Sequence, residues 1–197
     1  FTKVDHDYSY LGLFGFIKNA TIKNLTVAGS IIGADVAGIV ARADGGLIEN
    51  CHNKASIGGT KKAAGIAVIN KAGQLTIKNC TNEGLISSTN DRAGGIINLI
   101  QSANTSVENC SNSGSVTSNA TATYGAGGIV GWAAADGFEI KSCTNTGAVS
   151  GKGAAGGILG GTGNTGTVSN CTNSTTVTLS AAAGNSSEHA DFGGIVG

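Results

Sequence analysis

Apolar residues occur along the chain in short patches, and each patch is closed by Gly, Asn, Ser or Thr. Three kinds of patch recur in a fixed order. The first is built around Gly-Ile: Val36-Ala-Gly-Ile-Val40, Ala63-Ala-Gly-Ile-Ala67, Ala93-Gly-Gly-Ile-Ile97, Ala126-Gly-Gly-Ile-Val130, Ala155-Gly-Gly-Ile-Leu159 and Phe192-Gly-Gly-Ile-Val196. A variant copy, Leu11-Gly-Leu-Phe-Gly15, precedes them. The second is built around Cys: Ile48-Glu-Asn-Cys51-His-Asn53, Ile77-Lys-Asn-Cys80-Thr-Asn82, Val107-Glu-Asn-Cys110-Ser-Asn112, Ile140-Lys-Ser-Cys143-Thr-Asn145 and Val168-Ser-Asn-Cys171-Thr-Asn173. An earlier copy, Ile22-Lys-Asn-Leu25-Thr-Val27, has Leu at the Cys position. The third is a β-branched residue four positions after the second Asn: Ile57, Ile86, Val116, Val149 and Val177, with Ile31 in the first copy. Runs this short cannot be helices, and β-branched side chains suit pleated strands.

The Cys-centred copies follow one another at 26, 29, 30, 33 and 28 residues, counted from Leu25 to Cys171. A period in this range, made of short strands, is the signature of a solenoid. The chain is therefore expected to be all-β, a parallel β-helix (β-solenoid), right-handed, with about six coils of three short strands. It reads as a single repeat domain over 1–197. The coils fall near 11–35, 36–62, 63–92, 93–125, 126–154 and 155–191, and a seventh starts at 192–197. Coils stack with strands about 4.8 Å apart, so equivalent residues form columns along one axis.

Three columns carry structural weight. Asn24, Asn50, Asn79, Asn109 and Asn170, with Ser142 as the exception, stand between an inward Ile or Val and an inward Cys, which places them at a bend. Asn tolerates the left-handed conformation and bonds nearby backbone. These corner amides are expected to bond up and down the stack, while the second set, Asn53 to Asn173, marks another turn. The residue before each corner runs Lys23, Glu49, Lys78, Glu108, Lys141, Ser169, alternating in sign from rung to rung. Such exposed pairs contribute little individually, but a one-rung slip would set like charges together. Cys51, Cys80, Cys110, Cys143 and Cys171 form the third column. Their spacing excludes zinc-type Cys-x-x-Cys pairs. Parallel side chains suit a disulfide poorly, so the cysteines read as free, buried thiols.

Composition narrows the function. The 197 residues hold 12 Lys+Arg against 12 Asp+Glu, no Pro, and 33 Gly. A neutral balance without a basic run argues against nucleic acid as a partner. There is no apolar run long enough to span a membrane. No H-E-x-x-H, G-x-S-x-G or Walker sequence occurs, so no catalytic residue, cofactor or metal is expected. What recognition there is would lie in loops. Trp132, in a turn after the Gly-Gly strand, Tyr124, and the loop residues Glu188, His189 and Asp191 are the possible ligand contacts; Phe138 shares the aromatic-rich repeat. Local packing of Trp132 and a solvated polar loop are the competing readings. Asp35, Asp91, Asp191 and Arg92 lie near one corner on different rungs, whereas polysaccharide-cleaving enzymes need clustered carboxylates.

The stretch Gly12-Leu13-Phe14-Gly15, followed by Ala20-Thr-Ile-Lys-Asn-Leu-Thr-Val27, resembles the GLUG motif. That short Gly-Leu-any-Gly repeat is found in large bacterial surface proteins, including the non-catalytic part of immunoglobulin-A-cleaving metallopeptidases. Gly127–Gly131 and Gly193–Gly197 are similar with Ile in place of Leu, and copies two to four lack the last Gly. The resemblance covers about residues 10–197. It implies a secreted or wall-attached bacterial protein and a repeat region within a longer chain. The ends agree with that expectation: the chain starts without Met and stops midway through a coil. The leading reading is a non-catalytic extracellular spacer or adhesion module, with a host protein or glycan and the flanking domains of the same polypeptide as partners. The alternatives are a carbohydrate-binding or polysaccharide-active β-helix, and the accessory repeat region of a secreted peptidase.

Overall fold

The computed structural model describes residues 10–120, 125–180 and 191–195. Every strand pairing in it is parallel, and the strands assemble into four sheets that run along one axis. Among the described residues there is no helix, and so none long and apolar enough to cross a membrane. The chain is a β-solenoid. Each coil visits the sheets in the same order. A glycine sheet of seven strands holds the Gly-Ile patches, such as Ala93–Gly94 and Ala126–Gly127. A long sheet follows, then an asparagine sheet of six strands such as Thr81–Asn82 and Ser111–Asn112. A valine sheet of six, such as Val116–Ser118, closes the coil.

The expected three strands per coil become four positions. The asparagine and valine sheets are short and distinct, because Gly84, Gly114 and Gly147 stand between them where a Cβ would strike the backbone of the neighbouring coil. The long sheet differs again. It begins as unbroken strands, Phe14–Lys23, Val40–Glu49 and Ala67–Lys78. Later coils split it, as in Ile97–Ile100 and Ser106–Glu108, or Val130–Ala133 and Phe138–Lys141. At the split runs a column of left-handed residues: Asn19, Gly45, Gly73, Asn104 and Gly137, with φ between 47° and 76°. Buried Asn70 anchors this bend. Its Nδ2 donates to Gly73 O at 3.0 Å and to Thr105 Oγ1 at 2.8 Å.

Register is kept coil after coil. Ile77 pairs with Ile48 on one side and Val107 on the other, and Val107 with Ile140. Ile86, Ile57, Val116, Val149 and Val177 align likewise. The isoleucines of the Gly-Ile patches, Ile39, Ile66, Ile96, Ile129 and Ile158, are fully buried in the main core with Cys51, Cys80, Cys110 and Cys143. A second inner cluster joins the valine and glycine sheets. The interior is thus a bundle of one-residue-wide columns, each contributing apolar area at about 25 cal/mol per Å² buried.

The polar columns divide differently from expectation. Asn24, Asn50, Asn79, Asn109 and Asn170 have φ of 50–58°, and Ser142 has 54°, so this set does turn the corner. It is not the buried amide ladder. The bond seen there, Asn50 Nδ2 to Asn24 Oδ1 at 3.3 Å, is exposed. The buried ladder belongs to the second set. Asn53 donates to Asn82 at 2.7 Å, Asn82 to Asn112 at 2.6 Å, Asn112 to Asn145 at 2.7 Å and Asn145 to Asn173 at 2.8 Å. The other proton of each amide goes to the carbonyl two residues on, as from Asn112 to Gly114 at 2.9 Å. Both donors are satisfied, which a buried amide requires.

This ladder explains the second glycine of the Gly-Ile patch. A Cβ on Gly65 would lie 2.6 Å from Asn82 Oδ1, and one on Gly128 would lie 2.5 Å from Asn145 Nδ2. The core is so narrow there that asparagines from one sheet rest directly on glycine backbone from another. The Gly-Gly-Ile and Cys-x-Asn repeats are two halves of one contact.

Candidate functional site

Of the residues singled out from sequence, Asp35, Asp91 and Arg92 lie where the valine sheet passes into the glycine sheet, and Trp132 lies on the seam between the glycine and long sheets. Along this seam a small apolar cluster lies outside the main core: Ala37, Ala64, Val68, Ile69 and Leu99, with Tyr10 and Trp132 packed against it. Register sets Phe16, Arg42, Ile69, Leu99 and Trp132 in one column. The Arg42 guanidinium lies 5.2 Å from the Phe16 ring centre and that of Arg92 lies 5.6 Å from the Trp132 ring. Trp132 is a member of the strand Val130–Ala133, not of a turn. Its ring spreads over Gly161 of the next coil, whose absent side chain makes the room. Trp132 is thus half-buried, with Leu99 of the preceding coil beside it, Gly161 beyond and a guanidinium over the ring. A sugar platform needs an open aromatic face, and this ring is occupied by the protein's own groups. Phe138, grouped with it in the sequence, lies in the core at 2% exposure.

The acidic residues at the corner form a clamp. Lys62 Nζ lies 3.4 Å from Asp35 Oδ2 and 3.4 Å from Asp91 Oδ2, bridging carboxylates that belong to the coils on either side. Arg92 contacts Asp91 at 3.2 Å. The ammonium stands between the two carboxylates, where a glycosidic bond and its water would have to lie. Asp191 is in the strand Asp191–Gly193, paired with Ala154, three rungs beyond the Arg92 position, or about 14 Å along the axis. The structure therefore brings Asp35, Asp91 and Arg92 together and leaves Asp191 apart. Tyr124, Glu188 and His189 lie outside the described residues.

The charged column behaves as a zipper at the surface. Glu49 sits between Lys23 at 2.8 Å and Lys78 at 3.2 Å, and Lys141 lies 3.2 Å from Glu108. The Lys23 and Lys78 bonds hold the Glu49 carboxyl below the usual range. Ser106 Oγ donates to Glu108 Oε1 at 2.6 Å, and this bond, with Lys141, holds the Glu108 carboxyl below it too. On the asparagine and valine sheets the outward residues of the last coils are mostly Ser and Thr without charge, as in Thr172, Ser174, Thr176 and Thr178. Sequence reasoning missed the buried Asn ladder, the Asn70 bend and the outer apolar seam. The first had a usable signal: the second-set position is Asn in all five Cys-centred copies, whereas the corner set admits Ser142.

Comparison with known proteins agrees with this geometry. Residues 119–150 match the GLUG motif. That match spans about one coil and includes the Gly-Gly-Ile patch resting on the Asn ladder. No curated protein matches the chain. Among solved structures, one described as a "putative immunoglobulin A1 protease from Bacteroides ovatus" is similar, with a TM-score of 0.64 and 21% identity. The similarity covers 92% of this chain and 66% of that one, so this chain spans just under two thirds of its neighbour's length. At that identity the likeness is one of fold. The GLUG segment is a repeat module within a β-solenoid.

Proposed function

We propose that this chain is a non-catalytic repeat module of an extracellular bacterial protein, a stiff spacer whose outer faces are available for adhesion. The observation that supports it most is the buried amide ladder from Asn53 to Asn173. It links five coils through doubly bonded side chains and resists bending between any two. About six coils at 4.8 Å give a rod roughly 30 Å long. The Lys62 clamp and the occupied Trp132 ring count against a polysaccharide-active reading. A narrower version, in which the module accompanies a secreted peptidase, is favoured by the GLUG match together with the fold shared with the Bacteroides ovatus structure.

The test has two arms. In the full-length parent, deleting the solenoid and joining its flanks directly should lower the accessibility of an outer epitope tag on intact cells; unchanged accessibility contradicts a spacer. Incubating the chain with acidic polysaccharides should give no turnover. Turnover that disappears in Asp91→Asn would make the chain an enzyme and overturn the proposal.

A further inference from the structure

The sequence holds nine Asn-x-Ser/Thr triplets, and seven of them lie wholly within the described residues. The triplet is the acceptor signature for a sugar on the asparagine amide. Its chemistry asks two things of the chain. The amide Nδ2 must be open to the active site of a second protein, and the hydroxyl two residues on must be free to be read there. Three of the seven fail. Asn173 is spent in the buried ladder: it accepts from Asn145 at 2.8 Å, and its Nδ2 donates to Thr175 O at 3.1 Å. Asn104 is followed by Ser106, which is 8% exposed and donates its hydroxyl to Glu108 at 2.6 Å. Asn79 is followed by Thr81, whose Oγ1 lies 2.6 Å from His52 Nδ1.

Four pass. Asn19, Asn24, Asn109 and Asn170 are all exposed, and all have a left-handed φ between 47° and 58°. Where the chain bends in this way it turns aside before and after the asparagine, which leaves the side chain on a convex edge. Among the described residues none of the four Nδ2 atoms donates a hydrogen bond; Asn24 takes part in one, but through Oδ1. The hydroxyls two residues on are without a side-chain partner there. Thr21, Thr26 and Thr172 are exposed, and Ser111 is half-buried. Asn109 and Asn170 stand two rungs apart, about 10 Å, because Ser142 occupies the corner between them. Groups attached to them would stand clear of one another.

We propose that Asn19, Asn24, Asn109 and Asn170 are sites of N-linked glycosylation by a transferase that uses a sugar activated as its diphosphate. Nδ2 attacks C1 of the sugar, and a C–N bond forms as the C1–O bond to the diphosphate breaks. The electron pair of that bond leaves with the diphosphate. One Nδ2 proton passes to a base of the transferase, the amide keeps its other N–H, and no group changes oxidation state. A sugar at these four positions lies in water and displaces no core contact, whereas one on Asn173 would cut the ladder. The inference needs only outward-facing amides, so it stands whether or not the module is a spacer.

The test is site mapping. The full-length parent is isolated from its own cells and digested, and its glycopeptides are sequenced by mass spectrometry. Sugar is expected on Asn19, Asn24, Asn109 and Asn170, with Asn79, Asn104 and Asn173 bare. A single sugar at each site marks a nucleotide-linked donor and a preassembled oligosaccharide a lipid-linked one; either supports the proposal. Thr26→Val and Ser111→Ala keep the asparagines, and should abolish the sugar at Asn24 and at Asn109 respectively with the far-UV circular dichroism unchanged. His52→Ala should release Thr81 and add a sugar at Asn79. Bare asparagine at all four positions would overturn the proposal. So would sugar on Asn104 or Asn173 at equal occupancy, because the triplet itself and not its placement in the fold would then decide.

Discussion

At the scale of single residues, the fold rests on places where a side chain from one sheet touches bare backbone of another. Gly128 is such a place, and Ala there would drive a Cβ onto the Gly157 carbonyl and the Asn145 amide. Overpacking of this kind costs about 1–3 kcal/mol. Gly128→Ala should therefore lower the unfolding free energy by that amount, read as a lower urea midpoint with an unchanged slope. Asn112 has partners on both sides, so Asn112→Ala orphans the buried Asn82 donor and takes from Asn145 Oδ1 one of its two donors, leaving the Gly147 N–H at 3.3 Å; a buried donor left unpaired costs about 1–3 kcal/mol. Equilibrium unfolding should show a larger loss than in Asn109→Ala, which removes a surface corner amide. Ser142 holds a left-handed φ of 54° where other coils have Asn. A non-Gly residue there costs about 1–2 kcal/mol, so Ser142→Gly is expected to raise thermal stability, and a fall would contradict the corner assignment. The corners were legible in the sequence because Asn is one of the few residues at ease in that conformation. The buried ladder was not, because the same residue type serves both roles and only packing tells them apart.

At the scale of elements, the repeat unit and its parallel stacking were readable from three recurring patches, since β-branched pairs such as Ile77 and Val107 have no other reason to keep one beat. The number of strands was not. The glycines between the asparagine and valine sheets read as turn residues, yet their role is close approach between coils. The bend in the long sheet is anchored by Asn70 and Thr105, which occur in single coils and have no repeat to reveal them. The charge zipper does belong to this scale, and it makes stability depend on acid. The Glu108 carboxyl is held low first by Ser106 and then by Lys141. A carboxyl whose folded pKa is depressed contributes fully above its unfolded value, near 4.3, and that contribution is lost as pH falls through the folded value. The urea midpoint should drop between pH 7 and pH 3, and Glu108→Gln should make the drop smaller. An equal drop in the variant would mean that Glu108 carries none of it.

At the scale of the molecule, the solenoid is a stack of nearly identical slices in which most stabilising contacts run between slices. Its stability is close to one-dimensional, with interior coils supported on two sides and end coils on one. The architecture was legible because such a stack repeats its sequence along with its structure. The candidate site was legible only in outline. Trp132 and the corner acids stand out by residue type, but whether they are open depends on Gly161 and Lys62, which carry no signal of their own. The fold as a whole depends on equivalent residues lying one above another in every coil. An X-ray crystal structure tests this most directly at the interior coils. It should place the Cys80 and Cys110 Cα atoms one strand spacing apart, about 4.8 Å, on parallel strands, with Asn82 Nδ2 within hydrogen-bond reach of Asn112 Oδ1. Antiparallel Gly-Gly-Ile segments, or these two cysteines separated by more than one rung, would contradict it.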